Sequence, residues 1–397
     1  MGKRIKAFSL LVALLLLYCQ STTVLAQTVV NKSLLAEQAK GKAPNVKVYM
    51  TGSDMSKTAE VSGKVSDVTL SQKGVVETFE ESGESIRYII LFDNSGSINK
   101  AQFDEAKSQL ARMRTSMKNE DEMQIFTVGT TDISAEKTDV FGRIAVATEK
   151  DRVDEDCEKI ENIEYIGGVV SKTILYRSLN EVLEEQSAQM AIDKLRTIVL
   201  LITDGEDDSD DLNGKDNDKD STLANVRASC IPVYGILLND TAREPNEEKI
   251  KFTKNQILDS NNSNGYYYNC SDKPDIDEVK EAFKEIDNVL RKETYIVWLT
   301  AETNKKVVGK SELSLTINNQ SITPVLLDYS DYEKDTDAPV VIGIVEKEGR
   351  NSVTFMIEDE NGVNLSDAGD STHYVIQTEG DGKKWTIDQV NANQDGT

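Results

Sequence analysis

The stretch "RYIILFDNSGSIN", residues 87–99, joins an apolar run to a group of small polar side chains. The apolar part has the length of a strand and no alternation, which is typical of a strand covered on both faces of a sheet. Three oxygen-bearing side chains, Asp93, Ser95 and Ser97, follow at alternating positions. A simple turn uses the same residue types, so the meaning of the stretch depends on the rest of the chain.

The sequence that follows predicts an α/β domain. Residues 100–117 carry apolar side chains at intervals of three and four, which predicts an amphipathic helix. Further strands are predicted at 122–129, 197–204 and 231–237, with helices between them and a last helix from near Asp275. Strands that alternate with helices over residues 86–293 predict a doubly wound, mostly parallel sheet.

The regions on both sides of this domain are rich in predicted strands. Residues 27–85 form an N-terminal β-rich segment, and residues 294–330 contain strands that we expect to pair with those of 45–83. The pairing would make a β-sandwich into which the α/β domain is inserted. After a linker at 331–338, residues 339–397 predict a further β-rich, immunoglobulin-like domain. Its end at Asn-Gln-Asp-Gly-Thr predicts a continuation beyond this sequence.

The first 26 residues predict a secretory signal peptide. They have a basic start, an apolar run and small residues that end at Ala26, and the run of about 12 residues is too short to span a bilayer. Lipid attachment at Cys19 is an alternative, which the bulky Tyr18 disfavours. We therefore expect a secreted or cell-surface protein with no membrane insertion after the signal peptide.

The net charge limits the possible partners. The value of −24 argues against binding to nucleic acid or to anionic membrane surfaces, because both attract basic faces.

Three cysteines follow the signal peptide: Cys157, Cys230 and Cys270. Cys230 precedes one predicted strand and Cys270 ends another, so parallel pairing of those strands predicts no disulfide between them.

Candidate metal ligands follow the predicted strands. Asp93 and Asp204 each close a buried strand, and Thr173 opens a helix after a loop, with Ser171 as a neighbouring alternative. Ligands collect at the carboxyl ends of strands in an open parallel sheet. Carboxylate and hydroxyl oxygens are hard ligands, which suit Mg²⁺, Mn²⁺ or Ca²⁺. The predicted set, called the candidate site below, is Asp93, Ser95, Ser97, Thr173 and Asp204.

This arrangement resembles the von Willebrand factor A domain and its metal-ion-dependent adhesion site. The family's Asp-x-Ser-x-Ser signature matches residues 93–97, its distal threonine matches Thr173, and its Thr-Asp-Gly matches residues 203–205. The resemblance covers residues 86–293. It implies that the hydroxyls bind Mg²⁺, Mn²⁺ or Ca²⁺ directly, that the aspartates often act through water, and that a protein ligand supplies an exposed Glu or Asp.

Two other functions compete with adhesion. Domains of this family also serve as structural or assembly modules of surface appendages, where the metal only holds loops. A metal-dependent phosphohydrolase would need a general acid two residues after Asp93, and Ser95 cannot serve as one. His373, the only histidine, is predicted to lie in the last domain, and no Gly-x-Ser-x-Gly elbow is present. We therefore expect no enzyme activity.

Two further stretches are predicted to have structural roles only. Residues 205–221 form an acidic loop without the spacing of an EF-hand, and we expect it to be solvated. The three tyrosines at 266–268 predict an edge strand.

Overall fold

The computed structural model of the protein describes residues 35–40, 45–52, 55–66, 68–132, 134–167, 171–190, 195–209, 219–240, 246–271, 274–301, 309–329, 340–346, 353–358, 376–377 and 384–385. The signal peptide at 1–26, the linker at 331–338, His373 and residues 210–218 of the acidic loop lie outside these residues.

The strands, in chain order, are β1 (Leu35–Lys40), β2 (Asn45–Thr51), β3 (Val61–Val65), β4 (Val68–Thr78), β5 (Ile86–Phe92), β6 (Glu122–Thr127), β7 (Gly129–Thr130), β8 (Thr138–Asp139), β9 (Ala145–Val146), β10 (Lys172–Thr173), β11 (Arg196–Thr203), β12 (Val233–Leu237), β13 (Tyr267–Asn269), β14 (Thr294–Ala301), β15 (Gly309–Ile317), β16 (Gln320–Ser321), β17 (Val325–Tyr329), β18 (Val340–Glu346), β19 (Val353–Glu358), β20 (Ile376–Gln377) and β21 (Lys384–Trp385). The α-helices are α1 (Phe79–Ser82), α2 (Lys100–Ser116), α3 (Val153–Glu161), α4 (Leu175–Met190), α5 (Lys219–Ala228), α6 (Glu247–Phe252), α7 (Ser260–Ser263) and α8 (Ile276–Asn288). Short 3₁₀ or π turns occupy Lys150–Arg152, Thr253–Ile257 and Val289–Glu293.

The chain divides into two compact units, and most of the first unit is Thr78–Thr294. Its main sheet has the strand order β13-β12-β11-β5-β6-β8, and β9 also pairs with β6. The strands β13, β12, β11, β5 and β6 are parallel, whereas β8 and β9 are antiparallel to β6. The first unit therefore has the mostly parallel α/β architecture that the alternation of strands and helices predicts.

The strand order creates a switch point between β5 and β11. After β5 the chain adds β6 on one side, and it then returns to add β11, β12 and β13 on the other side. Phe92 at the end of β5 pairs with Ile202 of β11, so the two strands end together. Open α/β sheets bind ligands at such a point. Asp93 and Asp204 are the residues that come directly after these two strands.

Helices cover both faces of this sheet. Ile89 and Leu91 of β5 pack in one apolar cluster with Leu179 of α4. The ring of Phe92 points to the other face and stacks on Phe103 of α2 with a centroid distance of 5.0 Å. Because successive strand residues face opposite sides, α2 and α4 lie on opposite faces. None of the described helices is long and apolar enough to cross a membrane.

The second unit is built on one sheet with strands from both sides of Thr78–Thr294. The strand order is β1-β2-β14-β4-β3-β15-β16, and β17 also pairs with β15. β15 is antiparallel to β3, which precedes the α/β unit in the chain. β18 pairs with β19 and β20 pairs with β21. The β-sandwich and the immunoglobulin-like domain stay predictions.

The tyrosine-rich strand β13 lies at the edge of the first unit's sheet, which confirms the edge strand predicted at 266–268. It is parallel to β12, with Gly235 opposite Tyr267. Cys230 precedes β12 and Cys270 follows β13, so the two thiols belong to opposite ends of neighbouring strands.

We expect purified protein to contain no disulfide between Cys230 and Cys270. Several residues at ~3.3 Å each separate their positions along the strands, whereas a disulfide needs Cα atoms within ~7 Å. Peptide mapping without reductant should recover the two cysteines on separate peptides. A linked 230–270 peptide would show that the β12–β13 register is wrong.

Candidate metal centre

Asp93 is fixed at the point where β5 and β11 end. Its backbone amide donates to the carbonyl of Ile202 at 2.9 Å, which extends the pairing of the two strands by one residue. Oδ1 of Asp93 accepts from the amide of Ser95 at 2.9 Å, and Oδ2 accepts from the hydroxyl of Thr203 at 3.0 Å. The carboxylate thus links the loop that follows β5 to the last residue of β11, and the side chain is fully buried.

The loop after Asp93 holds two hydroxyls side by side. Ser95 Oγ lies 3.0 Å from Ser97 Oγ. Gly96 between them donates its amide to Ser171 Oγ at 2.9 Å, and the hydroxyl of Tyr165 donates to the carbonyls of Gly96 and Ile98. These bonds fix the loop from the outside, so the two serine hydroxyls are already in position before any ligand arrives.

Thr173 reaches the same region through a short pair of strands. In the antiparallel pair of β10 and β7, Thr173 stands opposite Gly129. A Cβ at position 129 would lie 2.6 Å from Asn94 Oδ1 and 2.8 Å from the amide of Ser95, so only glycine allows this approach. Thr173 is buried beside the loop. Ser171, the alternative to Thr173, instead accepts a hydrogen bond from the loop backbone.

Asp204 is the second buried carboxylate of the candidate site. Oδ1 accepts from the amide of Glu206 at 3.0 Å. Oδ2 has no hydrogen-bond partner among the described residues, although the side chain is only 1% exposed. Gly205 next to it has φ +96°, a conformation that favours glycine, and its amide donates to Thr203 Oγ1.

The two aspartates carry negative charge in a buried place without a basic partner. Burial raises the pKa of Asp93 to about 6, and hydrogen bonds from Ser95 and Thr203 offset part of the effect. Burial and then the charge of Asp93 raise the pKa of Asp204 well above its usual range. No lysine or arginine of the described part of the chain forms an ion pair with either.

This donor set fits a divalent cation. Two buried carboxylates and two adjacent hydroxyls offer only hard oxygen ligands, and one carboxylate oxygen is left without a donor. Buried charges in proteins are normally paired or coordinate metals. Together with Thr173, these residues make up the candidate site that the sequence predicts. Their assignment as metal ligands stays a prediction.

Sequence reasoning missed two carboxylates at this edge. Asp204, Glu206 and Asp240 place carboxylate oxygens within 4.8 Å of one another, and we call these three residues the carboxylate cluster. Asp240 comes shortly after β12, the strand beside β11. Its position after a buried parallel strand is the same signal that identified Asp93 and Asp204, so the sequence could have revealed it.

The first residues of the acidic loop are not solvated as predicted. Asp207 is 1% exposed, and its Oδ1 accepts from the amide of Tyr176 in the first turn of α4 at 2.9 Å. Asp208 Oδ2 accepts from the amide of Thr173 at 2.9 Å. The prediction is wrong here because the two carboxylates satisfy backbone donors of the segment that carries Thr173.

Comparisons with known proteins give weak similarities. No protein-family model and no curated protein matches the chain. Among solved structures, a von Willebrand factor type A protein from Catenulispora acidiphila is 12% identical, with 79% of this chain and 76% of that chain covered and a TM-score of 0.36. Manganese-loaded TRAP protein of Plasmodium vivax is 15% identical, with 67% of this chain and 99% of that chain covered and a TM-score of 0.35. TM-scores this low do not establish a shared fold, and the architecture rests on strand order and register.

Binding of a divalent cation is expected to weaken in acid. Because burial raises the pKa of Asp93 to about 6 and also raises that of Asp204, protons compete with the cation for both carboxylates. Affinity should therefore fall by about tenfold or more per pH unit below ~6. Calorimetric Mg²⁺ titrations at several pH values measure this. Affinity that is equal at pH ~5 and pH ~7 would contradict the buried placement of Asp93.

Proposed function

We propose that the protein is secreted or displayed at the cell surface, and that its α/β unit is a von Willebrand factor A domain that binds a protein ligand through a divalent cation. The observation that carries the proposal is the pair of buried aspartates at the switch point. The hydroxyl of Ser95 acts on Asp93 and that of Ser97 acts on Asp204, and no basic side chain of the described residues forms an ion pair with either carboxylate.

The residues that would hold the cation are those of the candidate site. Mg²⁺ is the preferred ion in this proposal, with Mn²⁺ and Ca²⁺ as substitutes that accept the same hard oxygens. When bound, the cation supplies a positive charge that can accept a carboxylate from another molecule. Among the five proposed ligands only Asp93 and Asp204 carry a formal negative charge, so the ligands themselves do not exceed the two positive charges of the ion.

The partner is proposed to be a protein with an exposed Glu or Asp. The chain carries a net charge of −24, which disfavours nucleic acid and would repel an acidic partner at long range. At physiological salt the Debye length is ~8 Å, so most of this repulsion is screened while a cation at the contact is not. The cation would therefore decide where an acidic ligand can bind.

The chain's own loops are prepared for such binding. The loop that carries Ser95 and Ser97, called the serine loop, is held by Tyr165 and Ser171, and Thr173 is held by Asp208. A site that is fixed before the ligand arrives loses less conformational entropy on binding. We propose no catalytic role, because Ser95 occupies the position where a phosphohydrolase would need a general acid.

Binding to a cell surface or to extracellular matrix proteins is expected to require the cation. Added EDTA should reduce binding about tenfold or more, and excess Mg²⁺ should restore it. Ser95→Ala and Thr173→Ala should reduce binding in Mg²⁺ as EDTA does, because each removes one candidate ligand. Thr115→Ala, on the exposed side of α2, is the matched hydroxyl deletion and should bind as the parent protein does.

Equal binding with and without EDTA, in protein shown by calorimetry to hold the cation, would contradict adhesion through the metal. The cation would then be structural, and the domain would be an assembly module.

A further inference from the structure

Thr253 opens the π turn that follows α6, and its side chain is fully buried. Its hydroxyl donates to the carbonyl of Gly205 at 2.8 Å. Gly205 is the residue directly after Asp204. A hydroxyl that lies 48 residues away in the sequence therefore holds the backbone beside the second aspartate of the candidate site.

The same hydroxyl is also bonded to the segment that carries Thr173. Thr253 Oγ1 lies 3.0 Å from the hydroxyl oxygen of Tyr176, which is buried in the first turn of α4. A threonine hydroxyl has one proton, and the carbonyl of Gly205 takes it, so Tyr176 is the donor of the second bond. Tyr176 follows Thr173 by three residues. A directed chain of two hydrogen bonds thus connects the elements that carry two of the candidate ligands.

The segment 246–257, called the brace below, contacts the loop after β11 at further points. The backbone amide of its first residue donates to a carboxylate oxygen of Glu206, and the ammonium of Lys249 donates to the carbonyl of Asp207. A Cβ at position 205 would lie 3.5 Å from the backbone of the brace, so the two backbones are in close contact. The loop that follows Asp204 is therefore held along three successive residues, with the Thr253 hydroxyl at the first of them.

We infer that Thr253 is a positioning residue for cation binding, because its hydroxyl fixes where Asp204 stands relative to Thr173. The inference rests on the proposed function for the cation. Mg²⁺ demands near-octahedral geometry, so its ligands tolerate little displacement. Groups that orient metal ligands from behind are typically worth about 10- to 100-fold in metal affinity. Thr253 is itself no ligand, and it acts on the ion through the backbone of Gly205.

Calorimetric Mg²⁺ titration of the full chain tests the inference. Thr253→Val keeps the shape of the side chain and removes the hydroxyl, so its Kd for Mg²⁺ should rise about tenfold. Thr253→Ser keeps the hydroxyl and should stay within about threefold of the parent protein. The matched control is Thr197→Val at the other end of β11, where a buried threonine hydroxyl donates to the carbonyl of Leu195 at 3.3 Å. Urea denaturation in EDTA should show a loss of stability in this control, while its Kd for Mg²⁺ equals that of the parent protein.

Equal Mg²⁺ affinity in Thr253→Val and the parent protein would overturn the inference, and so would an equal loss in Thr197→Val or Thr253→Ser. If Thr253→Val does not fold, Tyr176→Phe decides in its place. That variant removes the donor to Thr253 and should weaken Mg²⁺ binding about threefold, and unchanged affinity there would overturn the inference.

The parent protein separates this inference from the proposed function. A parent protein that binds Mg²⁺ but holds its protein ligand equally well in EDTA would overturn adhesion through the metal and leave the role of Thr253 in place. A parent protein that binds no Mg²⁺ would overturn both.

Discussion

Replacing Asp93 with alanine is expected to abolish Mg²⁺ and Mn²⁺ binding at the candidate site. The Asp93 carboxylate links the loop after β5 to the end of β11 through Ser95 and Thr203, so alanine removes both a charge and this link. A cation that binds only the folded protein adds RT ln(1 + [L]/Kd), about 2.7 kcal/mol at a hundredfold excess over Kd. Thermal unfolding with and without Mg²⁺ should show this gain in the parent protein and none in the variant.

The matched control is Asp104→Asn on α2, which removes an exposed carboxylate paired with Lys100. Its Mg²⁺ titration should equal that of the parent protein. An Mg²⁺ titration that is unchanged in Asp93→Ala would contradict the assignment of the candidate site.

Without the cation, Asp93→Asn is expected to be at least as stable as the parent protein at neutral pH. The raised pKa of Asp93 means that the folded state holds this proton more tightly than the unfolded state does. The contribution of Asp93 to the stability of the metal-free protein is therefore fully present below the ordinary pKa of an aspartate, and it is lost as the pH rises from there through about 6. From the ordinary value of 3.8 to about 6, the loss is about 3 kcal/mol. Asparagine removes this loss, and it also removes the charge that repels Asp204.

Much of the architecture around the site could be predicted because it depends on local patterns. The runs that became β5 and β11 are buried along their whole length, and this produces the uninterrupted apolar sequence of a covered strand. Asp93 and Asp204 follow such runs directly, and the ends of parallel strands must lie at one edge. The proximity of Asp93 and Asp204 therefore follows from the sequence once β5 and β11 are parallel neighbours.

Other parts of the site depend on contacts that no local pattern contains. Glu206 and Asp207 look like members of one solvated acidic run, yet one belongs to the carboxylate cluster and the other accepts a helix amide. Gly129 is required because a side chain there would collide with Asn94, a residue that lies far away in sequence. These roles arise from the packing of separate loops, which composition and periodicity do not describe.

Asp121 and Arg291 form a buried ion pair at the other end of the sheet's strands, where β5 begins. Replacing Asp121 with alanine is expected to destabilise the protein strongly. Asp121 is fully buried, and its two oxygens accept from the amides of Ile86 at 3.0 Å and Lys118 at 2.9 Å. Arg291, from the turn after α8, donates to the same carboxylate and to the hydroxyl of Tyr88. Alanine would leave a buried guanidinium and two backbone amides without this acceptor. Removal of one partner of a buried pair costs about 3–5 kcal/mol of unfolding free energy.

Urea denaturation of the full chain measures this loss, and the same arginine offers the matched control. Asp287 also pairs with Arg291, at 3.2 Å, but its side chain is 63% exposed. Exposed pairs contribute about 0–1 kcal/mol, so Asp287→Ala should change the unfolding free energy far less than Asp121→Ala does. Equal losses in the two variants would contradict the buried placement of the Asp121 carboxylate.

The location of Asp121 also predicts what the variant keeps. Asp121 bonds to the first residue of β5, whereas Asp93 follows the last, and six residue steps at ~3.3 Å separate these ends by roughly 20 Å. Asp121→Ala should therefore bind Mg²⁺ with unchanged affinity at temperatures where it remains folded. Asp93→Asn should show the reverse, with stability retained in EDTA and the cation lost. Because the two substitutions act at opposite ends of one strand, this double dissociation separates the residues that hold the sheet together from those that bind the ion.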